Sequence, residues 1–511
     1  MKPKRSIIDY LAEHADRRPD GIVFYYGDKK ITFGALEEQS ARCRGALAAQ
    51  GVKPGDRVAL VMSDCPEMAV AMLGVMGMGA VVVPCSTMLK PAELEYMFKD
   101  SGAKLVIATL EHAENAKAAR APKVIVAPAE FNALIEKSKP AVLADFDRDT
   151  PCLILYTSGS TGSPKGAVHL QDHLPETFER VARKVYELGP DDRIFSSSRL
   201  FFAYGLGNSF SFPIGAGCAS ILCSERPTPP VIAELFKRYR PTVFFGVPAV
   251  FRGLIEHARQ GHAIETRSLK FCVSAGEVLP VATWNEWKEV SGVEIIETIG
   301  TTELLHAFIH NFRDRNRPGS SGVPLEGYEI RLTDHDGATV EGAGRGNLHV
   351  KGRSAIPYYL NKPEKTAELI RDGWVMTGDV YRRDEEGFYW FEGRSDDLFK
   401  CSGMWVSPGE VEEAVIRHPA VLEAAVVAEA DHKGATIAAA YVALRPGHSA
   451  GDALSREIME EAAKSLPRFK RPQRIHFMEA LPRTATGKVQ RFKLRQIAAE
   501  NRGQSPISGN A

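Results

Sequence analysis

Residues 151–170 read PCLILYTSGSTGSPKGAVHL. Two apolar runs flank a loop, and from Tyr156 to Gly166 the chain carries five serine or threonine hydroxyls, three glycines and Lys165. Glycines let backbone N–H groups approach an anion closely, hydroxyls add donors, and the lysine adds charge. That combination suits a phosphate. A flexible Ser/Gly linker shares the composition, but linkers rarely join two apolar strands directly. The P-loop pattern GxxxxGK[ST] is absent, because Pro164 and Gly166 flank the lysine.

The flanking runs belong to a longer series. FGALEEQSARCRGALAAQG at 33–51 puts Leu36, Cys43 and Leu47 on one helical face, with Gly51 as the stop. DRVALVM then reads as a buried strand, and AVVVPC, KLVIA, CLILYTS, RIFSSS, TVFFGV and KFCVSAG repeat its form. Each is a short apolar run ending in small or polar residues, as parallel strands in α/β layers are. After about Arg313 the texture changes. EGYEIRLTDHDG, GRGNLHVKG and GFYWFEGR predict strands joined by tight turns, hence a more antiparallel, barrel-like part. From about Ser395 a charged stretch leads into PGEVEEAVIRHPAVLEAAVVAEA, then two strands, a helix and a last strand. The expected fold class is α/β: a large N-terminal domain of layered α/β subdomains plus a barrel-like β part, and a small α+β C-terminal domain.

Charge excludes some partners. Lys+Arg and Asp+Glu balance at 64 each in 511 residues, so no global field invites nucleic acid or an anionic membrane. A small-molecule substrate is the expectation. The N-terminus MKPKRSIIDYLAEHADRRPD turns amphipathic and charged where a signal peptide needs an apolar core. The longest apolar region, Met68 to Cys85, is Gly-punctuated and short for a membrane span, and predicts a buried helix followed by a strand. Eight cysteines include no CxxC pair, and most sit in apolar runs. Buried free thiols in a cytoplasmic protein fit that usage.

Six stretches in order resemble those of the adenylate-forming superfamily: acyl-CoA synthetases, adenylation domains and luciferases. YTSGSTGSPKG resembles its signature loop, SAGEVLP at 274–280 its adenine segment, and ETIGTTE at 297–303 its nucleotide and magnesium segment. WVMTGD ends in Asp379, GRSDDLFKCSG spans 393–403, and PRTATGKVQR carries Lys488. RLFFAYGLGNSFSFP at 199–213, with TTELLHAF and SGMWVSP, is similar to the benzoate-CoA ligases. Two positions depart. Ala307 stands where a larger aliphatic residue is expected, and Cys401 stands where valine is usual.

The resemblance implies an ATP-dependent aryl-CoA ligase. Benzoate or a small substituted benzoate (2-aminobenzoate or hydroxybenzoate) would be activated to aroyl-AMP with release of pyrophosphate, then transferred to coenzyme A with release of AMP. ATP, Mg2+ and coenzyme A are the implied co-substrates and metal, and a homodimer stays open. Lys488 would bridge the carboxylate and the α-phosphate. Thr157, Ser158, Gly159, Thr161 and Lys165 would hold the β- and γ-phosphates, Thr302 the α-phosphate, and Glu303 the Mg2+. Gly276, Glu277, Glu297 and Thr298 would line the adenine site, and Asp379 and Arg394 the ribose. Ala203, Tyr204, Gly300, His306 and Ala307 would wall the aryl pocket, with Gly300 leaving a gap for a flat ring. Residues 1–394 would form the large domain, 395–397 the hinge with Asp396 as pivot, and 398–511 the small mobile domain. Ser402 and Gly403 would face the coenzyme A channel.

Three rival signals compete. GHSAG at 447–451 matches the GxSxG elbow of esterases, with Ser449 as nucleophile, but no partner histidine or acid is identifiable. Ser449 and Asp452 read instead as caps of a helix starting near Asp452. GLGNSF at 205–210 lacks the third glycine of a dinucleotide fingerprint. Transfer of the aroyl group to a carrier protein instead of coenzyme A is the rival ligase chemistry. Phe201 and Phe202 read as core, and His306 either as a substrate-orienting or as a structural histidine.

Overall fold

The computed structural model describes residues 6–157, 164–431, 434–483 and 489–500. Helix and strand alternate as the patterns predict. Leu36, Cys43 and Leu47 are buried on helix Phe33–Ala49. Helix Pro66–Gly77 is buried on every face from Met68 onward and is followed by strand Val81–Pro84. A helix that is apolar all round belongs in an interior. Among the described residues no helix is long and apolar enough to cross a membrane. All eight cysteines are unpaired, and seven of them are buried.

The chain divides into two units, Met1–Ile330 with His349–Met376 and Arg331–Leu348 with Thr377–Ala511. Among its described residues the first unit contains a six-stranded sheet ordered Val124–Ala127, Ala103–Thr109, Arg57–Val61, Val81–Pro84, Pro151–Thr157, Lys165–Leu170. Its pairs are parallel except the last, where Thr157 lies opposite Lys165 in an antiparallel register. The hydroxyl-rich loop therefore joins a hairpin and does not lead into a helix. A nine-stranded sheet has the same plan. Its interior strands, among them Arg193–Ser196, Val243–Gly246, Phe271–Ser274 and Ile295–Gly300, are parallel. Antiparallel strands, Lys29–Thr32 on one side and Ala307–His310 with Val323–Pro324 on the other, close its margins. Buried apolar strands packed on both faces are what a parallel sheet requires.

In the second unit, antiparallel pairing takes over as the later sequence predicts. Asp379 to Arg383 pair with Tyr389–Arg394. Residues 395–397 follow, then hairpin Phe399–Cys401 with Met404–Val406 and helix Pro408–Ile416. Strands Val421–Ala430, Thr436–Leu444 and Arg474–Met478 form a three-stranded sheet over a core that includes Val411, Val426, Ala440 and Ile458. Helix Asp452–Ala463 begins where expected, but its N-cap is Gly451 and no side chain caps it. Ser449 lies two residues upstream, exposed, so the capping role expected for it is not what this helix uses.

Candidate active site

The hairpin built on Pro151–Thr157 and Lys165–Leu170 carries the first set of polar groups. Ser158, Gly159 and Thr161 lie outside the described residues, and Thr157 and Lys165 mark the two ends of the loop. Tyr96 donates its hydroxyl to Pro164 O at 3.1 Å, and Tyr156 donates to Asp100 Oδ2 at 2.7 Å, so the loop's base is tied down from outside. Lys165 Nζ sits 4.7 Å from the centre of the Tyr359 ring. The hydroxyl of that same tyrosine donates to Glu303 Oε1 at 2.5 Å. Glu303 belongs to a single 3-10 turn, Thr302–Leu304, that follows strand Ile295–Gly300. A half-buried carboxylate is the hard oxygen ligand that Mg2+ prefers. The neighbouring Thr301 Oγ1 is buried with no partner among the described residues. Both features fit a metal–phosphate group at this turn. Sequence reasoning passed over Tyr359; its only signal was a YY pair near the end of an apolar run.

The strand before this turn carries Glu297 and Thr298. Glu297 is buried and accepts from Leu279 N at 3.3 Å, and burial pushes its carboxyl well above the usual range. Thr298 spends its hydroxyl on Ile309 O at 2.7 Å, across the sheet margin. Gly276 and Glu277 follow strand Phe271–Ser274, Gly276 exposed and Glu277 half-buried. The register that pairs Ser274 with Glu297 therefore brings both segments to one sheet end. Ligands bind at such ends in open α/β sheets.

The aromatic wall assembles around His306. Tyr204, on helix Ala203–Leu206, donates to Val273 O at 3.2 Å. Its ring lies 5.7 Å from the His306 ring, and the Phe212 ring lies 4.6 Å from His306 on another side. His306 is 4% exposed, and burial pushes its pKa down to about 3, so the ring is neutral. Its Nε2 donates to Asn208 Oδ1 at 3.2 Å. Nδ1 is then an acceptor, buried with no partner among the described residues. Gly207 makes this arrangement possible, since a Cβ there would come within 2.4 Å of His306 Cδ2. Ala307 is buried and pairs in register with Gly300. A Cβ on Gly300 would lie 2.4 Å from His306 O, so the glycine answers the close approach of its own sheet neighbour. On its Cβ side Gly300 is therefore backed by the His306 backbone. Phe201 is buried and Phe202 half-buried, in edge contact at 4.6 Å. Asn208 and Gly207 were not separable in sequence from a plain Gly-Asn turn.

In the second unit, Asp379 and Arg394 face one another in register. Arg394 Nη1 donates to Asp379 Oδ1 and to Thr377 O, both at 2.9 Å. Asp379 is 6% exposed, and its backbone N–H donates to Thr377 Oγ1 at 3.1 Å. Asp396 is exposed, with Oδ1 3.7 Å from Arg394 Nε. Ser402 and Gly403 form the two-residue tip of their hairpin with φ +50 and +79. Positive φ at both central positions marks a type I′ turn, which explains the glycine. Lys488 lies outside the described residues; Arg483 and Val489 on either side of it pair across an isolated antiparallel bridge.

Two α/β units, a Ser/Gly/Thr hairpin with a lysine, and a Thr-Glu turn define a class of nucleotide-activating enzyme. The chain belongs to the AMP-binding enzyme family. Residues 11–360 match the AMP-binding enzyme domain, and residues 410–488 match the AMP-binding enzyme C-terminal domain. Within that family it is similar to the benzoate–CoA ligase of Thauera aromatica, 39% identical over 93% of this chain and 92% of the relative. A crystal structure of the anthranilate CoA ligase AuaEII with anthranoyl-AMP superposes with TM-score 0.93 at 35% identity, covering 98% of each chain. The benzoate CoA ligase of Burkholderia xenovorans LB400 superposes with TM-score 0.90 at 37% identity, over 96% of this chain and 99% of the other.

Proposed function

We propose that this protein is an ATP-dependent aryl-CoA ligase acting on benzoate or on a benzoate with a small amino or hydroxyl substituent. The observation that carries this reading is Tyr359. Its ring meets Lys165 and its hydroxyl meets Glu303, so a phosphate-binding cation and a metal-binding carboxylate converge on one side chain. Relatives and structures named for benzoate and anthranilate, matched nearly end to end, support the aryl acid.

In the first step a carboxylate oxygen attacks the α-phosphorus of ATP. The bond to the bridging oxygen breaks and pyrophosphate leaves. In the second, the coenzyme A sulfur attacks the acyl carbon, its proton passes to solvent, and AMP leaves. The first step brings two anions together, so charge and orientation must supply much of the acceleration. Lys488 bridges carboxylate and α-phosphate in this scheme. Thr157, Ser158, Gly159, Thr161 and Lys165 hold the β- and γ-phosphates, and Thr302 orients the α-phosphate. Glu303 would hold Mg2+, which would supply neutralisation of phosphate charge when bound. Gly276, Glu277, Glu297 and Thr298 line the adenine, and Asp379 and Arg394 hold the ribose. Tyr204 offers the ring an aromatic face, and His306 Nδ1 offers an acceptor for a ring N–H or O–H. Residues 1–394 bind ATP and the acid, and residues 398–511 turn about Asp396 between the steps. That motion clears Lys488 and brings Ser402 and Gly403 into use for the thiol. The eight unpaired thiols support a reducing, cytoplasmic setting.

Pyrophosphate release across a panel of carboxylic acids, followed by detection of the coenzyme A thioester, tests the reading. Benzoates should outperform octanoate. Faster turnover of octanoate would remove the aryl assignment, and transfer only to a loaded carrier protein would replace the second step.

A further inference from the structure

Behind the Thr302–Leu304 turn lie two histidines that no step of the proposed reaction uses. His169 is on strand Lys165–Leu170 and His173 opens the short helix His173–Thr177; they are 0% and 1% exposed. His169 Nε2 is 2.9 Å from Thr302 O, and its Nδ1 is 3.0 Å from His173 Nδ1. A carbonyl oxygen only accepts, so Nε2 carries the proton. In a neutral ring Nδ1 must then accept, and the His173 Nδ1–H supplies the donor. Donation therefore runs one way, from His173 to His169 to Thr302. The neighbouring backbone is held just as individually. Ile356 N donates to Glu303 O at 2.9 Å, and Ser354 Oγ donates to Leu304 O at 2.9 Å. With the Tyr359 hydroxyl on the Glu303 carboxylate, each residue of this turn has its own support.

Two imidazoles in a dry interior are costly unless every proton has an acceptor, and apolar side chains would fill the same space more cheaply. His169 also shares its strand with Lys165, so the pair couples the turn to the phosphate hairpin. We propose that His169, with its tautomer set by His173, is a positioning residue for the adenylation step. It fixes the Thr302 carbonyl and thereby aims the Thr302 hydroxyl and the Glu303 carboxylate at the nucleotide. The inference rests on the roles given to Thr302 and Glu303 above.

Three measurements test it on the full-length enzyme. His169→Phe should slow acid-dependent ATP–pyrophosphate exchange by about 10–100-fold, the usual scale for a supporting hydrogen bond. Thioester formation from supplied aroyl-AMP should stay unchanged. His169→Gln keeps an amide N–H near the Nε2 position and should recover most of the exchange rate. Imidazole 15N spectra of the unmutated protein should show His169 protonated at Nε2 and bare at Nδ1. A Gln variant as slow as the Phe variant, equal loss in both half-reactions, or a proton on His169 Nδ1 would each overturn the pair. Should no aryl acid support exchange in the unmutated enzyme, the ligase reading fails, while the 15N spectrum still decides the tautomer.

Discussion

Lys488 and Ala307 carry the sharpest residue-scale expectations. The adenylation step must bring a carboxylate up to a triphosphate, and a single ammonium can bridge both. Lys488→Ala should lower acid-dependent pyrophosphate release by about 10²-fold or more. Thioester formation from supplied aroyl-AMP should survive, because no second anion then needs to be brought in. A parallel fall of both steps in a folded protein would remove the role. Ala307 is 2% exposed and pairs across from Gly300, one residue after the neutral His306 with its bare Nδ1. In the proposed pocket the missing methylenes would leave room for a substituent, and Nδ1 would give that substituent an acceptor. Ala307→Ile should shift the ratio of kcat/KM toward unsubstituted benzoate over 2-aminobenzoate by at least about tenfold, at ~1–3 kcal/mol per misfit methylene. An unchanged ratio would show that Ala307 does not face the ring.

At the scale of elements, the short helix Ala203–Leu206 and its continuation through Ser211 position the aromatic wall. Gly207 lets His306 pack on this helix, with 2.4 Å left for a Cβ. Gly207→Ala must displace the ring, at ~1–3 kcal/mol of overpacking. The expected result is a raised KM for the aryl acid, an unchanged KM for ATP, and a lower thermal midpoint. Equal effects on both substrates would mean that His306 serves only the core. The hairpin of Ser402 and Gly403 obeys a different constraint. Its tip needs positive φ twice, so a β-branched residue at 403 would deform the turn without touching the adenylation groups.

For the whole molecule, the proposed scheme asks one site to serve two reactions in turn. Asp396 is exposed, with its carboxylate 3.7 Å from Arg394 Nε, while the flanking Ser395 N and Asp397 N donate to Gly378 O and Arg394 O at 2.9 and 3.0 Å. Proline fixes φ near −65° and removes an N–H. Asp396→Pro should therefore leave aroyl-AMP formation close to normal while thioester formation collapses. Rapid-quench measurement of the two half-reactions checks this, and unmutated rates in both would remove Asp396 as the pivot.

The sequence alone determined the alternation of buried strands and helices, because strong period and short apolar runs survive any tertiary context. It also determined the all-round burial of Met68 to Gly77. Tertiary structure decided what depends on registers and approaches between distant segments. The strands on either side of the loop pair antiparallel, with Thr157 opposite Lys165. Gly300 is required by the close approach of the His306 carbonyl, because the next strand folds back on it. Asn208 gained its role from His306, 98 residues away, His169 from Thr302, 133 residues away, and Tyr359 from Glu303, 56 residues away. Hydrogen bonds between such residues leave no period in the chain. They arise when a packed core fixes which polar atoms face one another, and that information lies in three-dimensional contact alone.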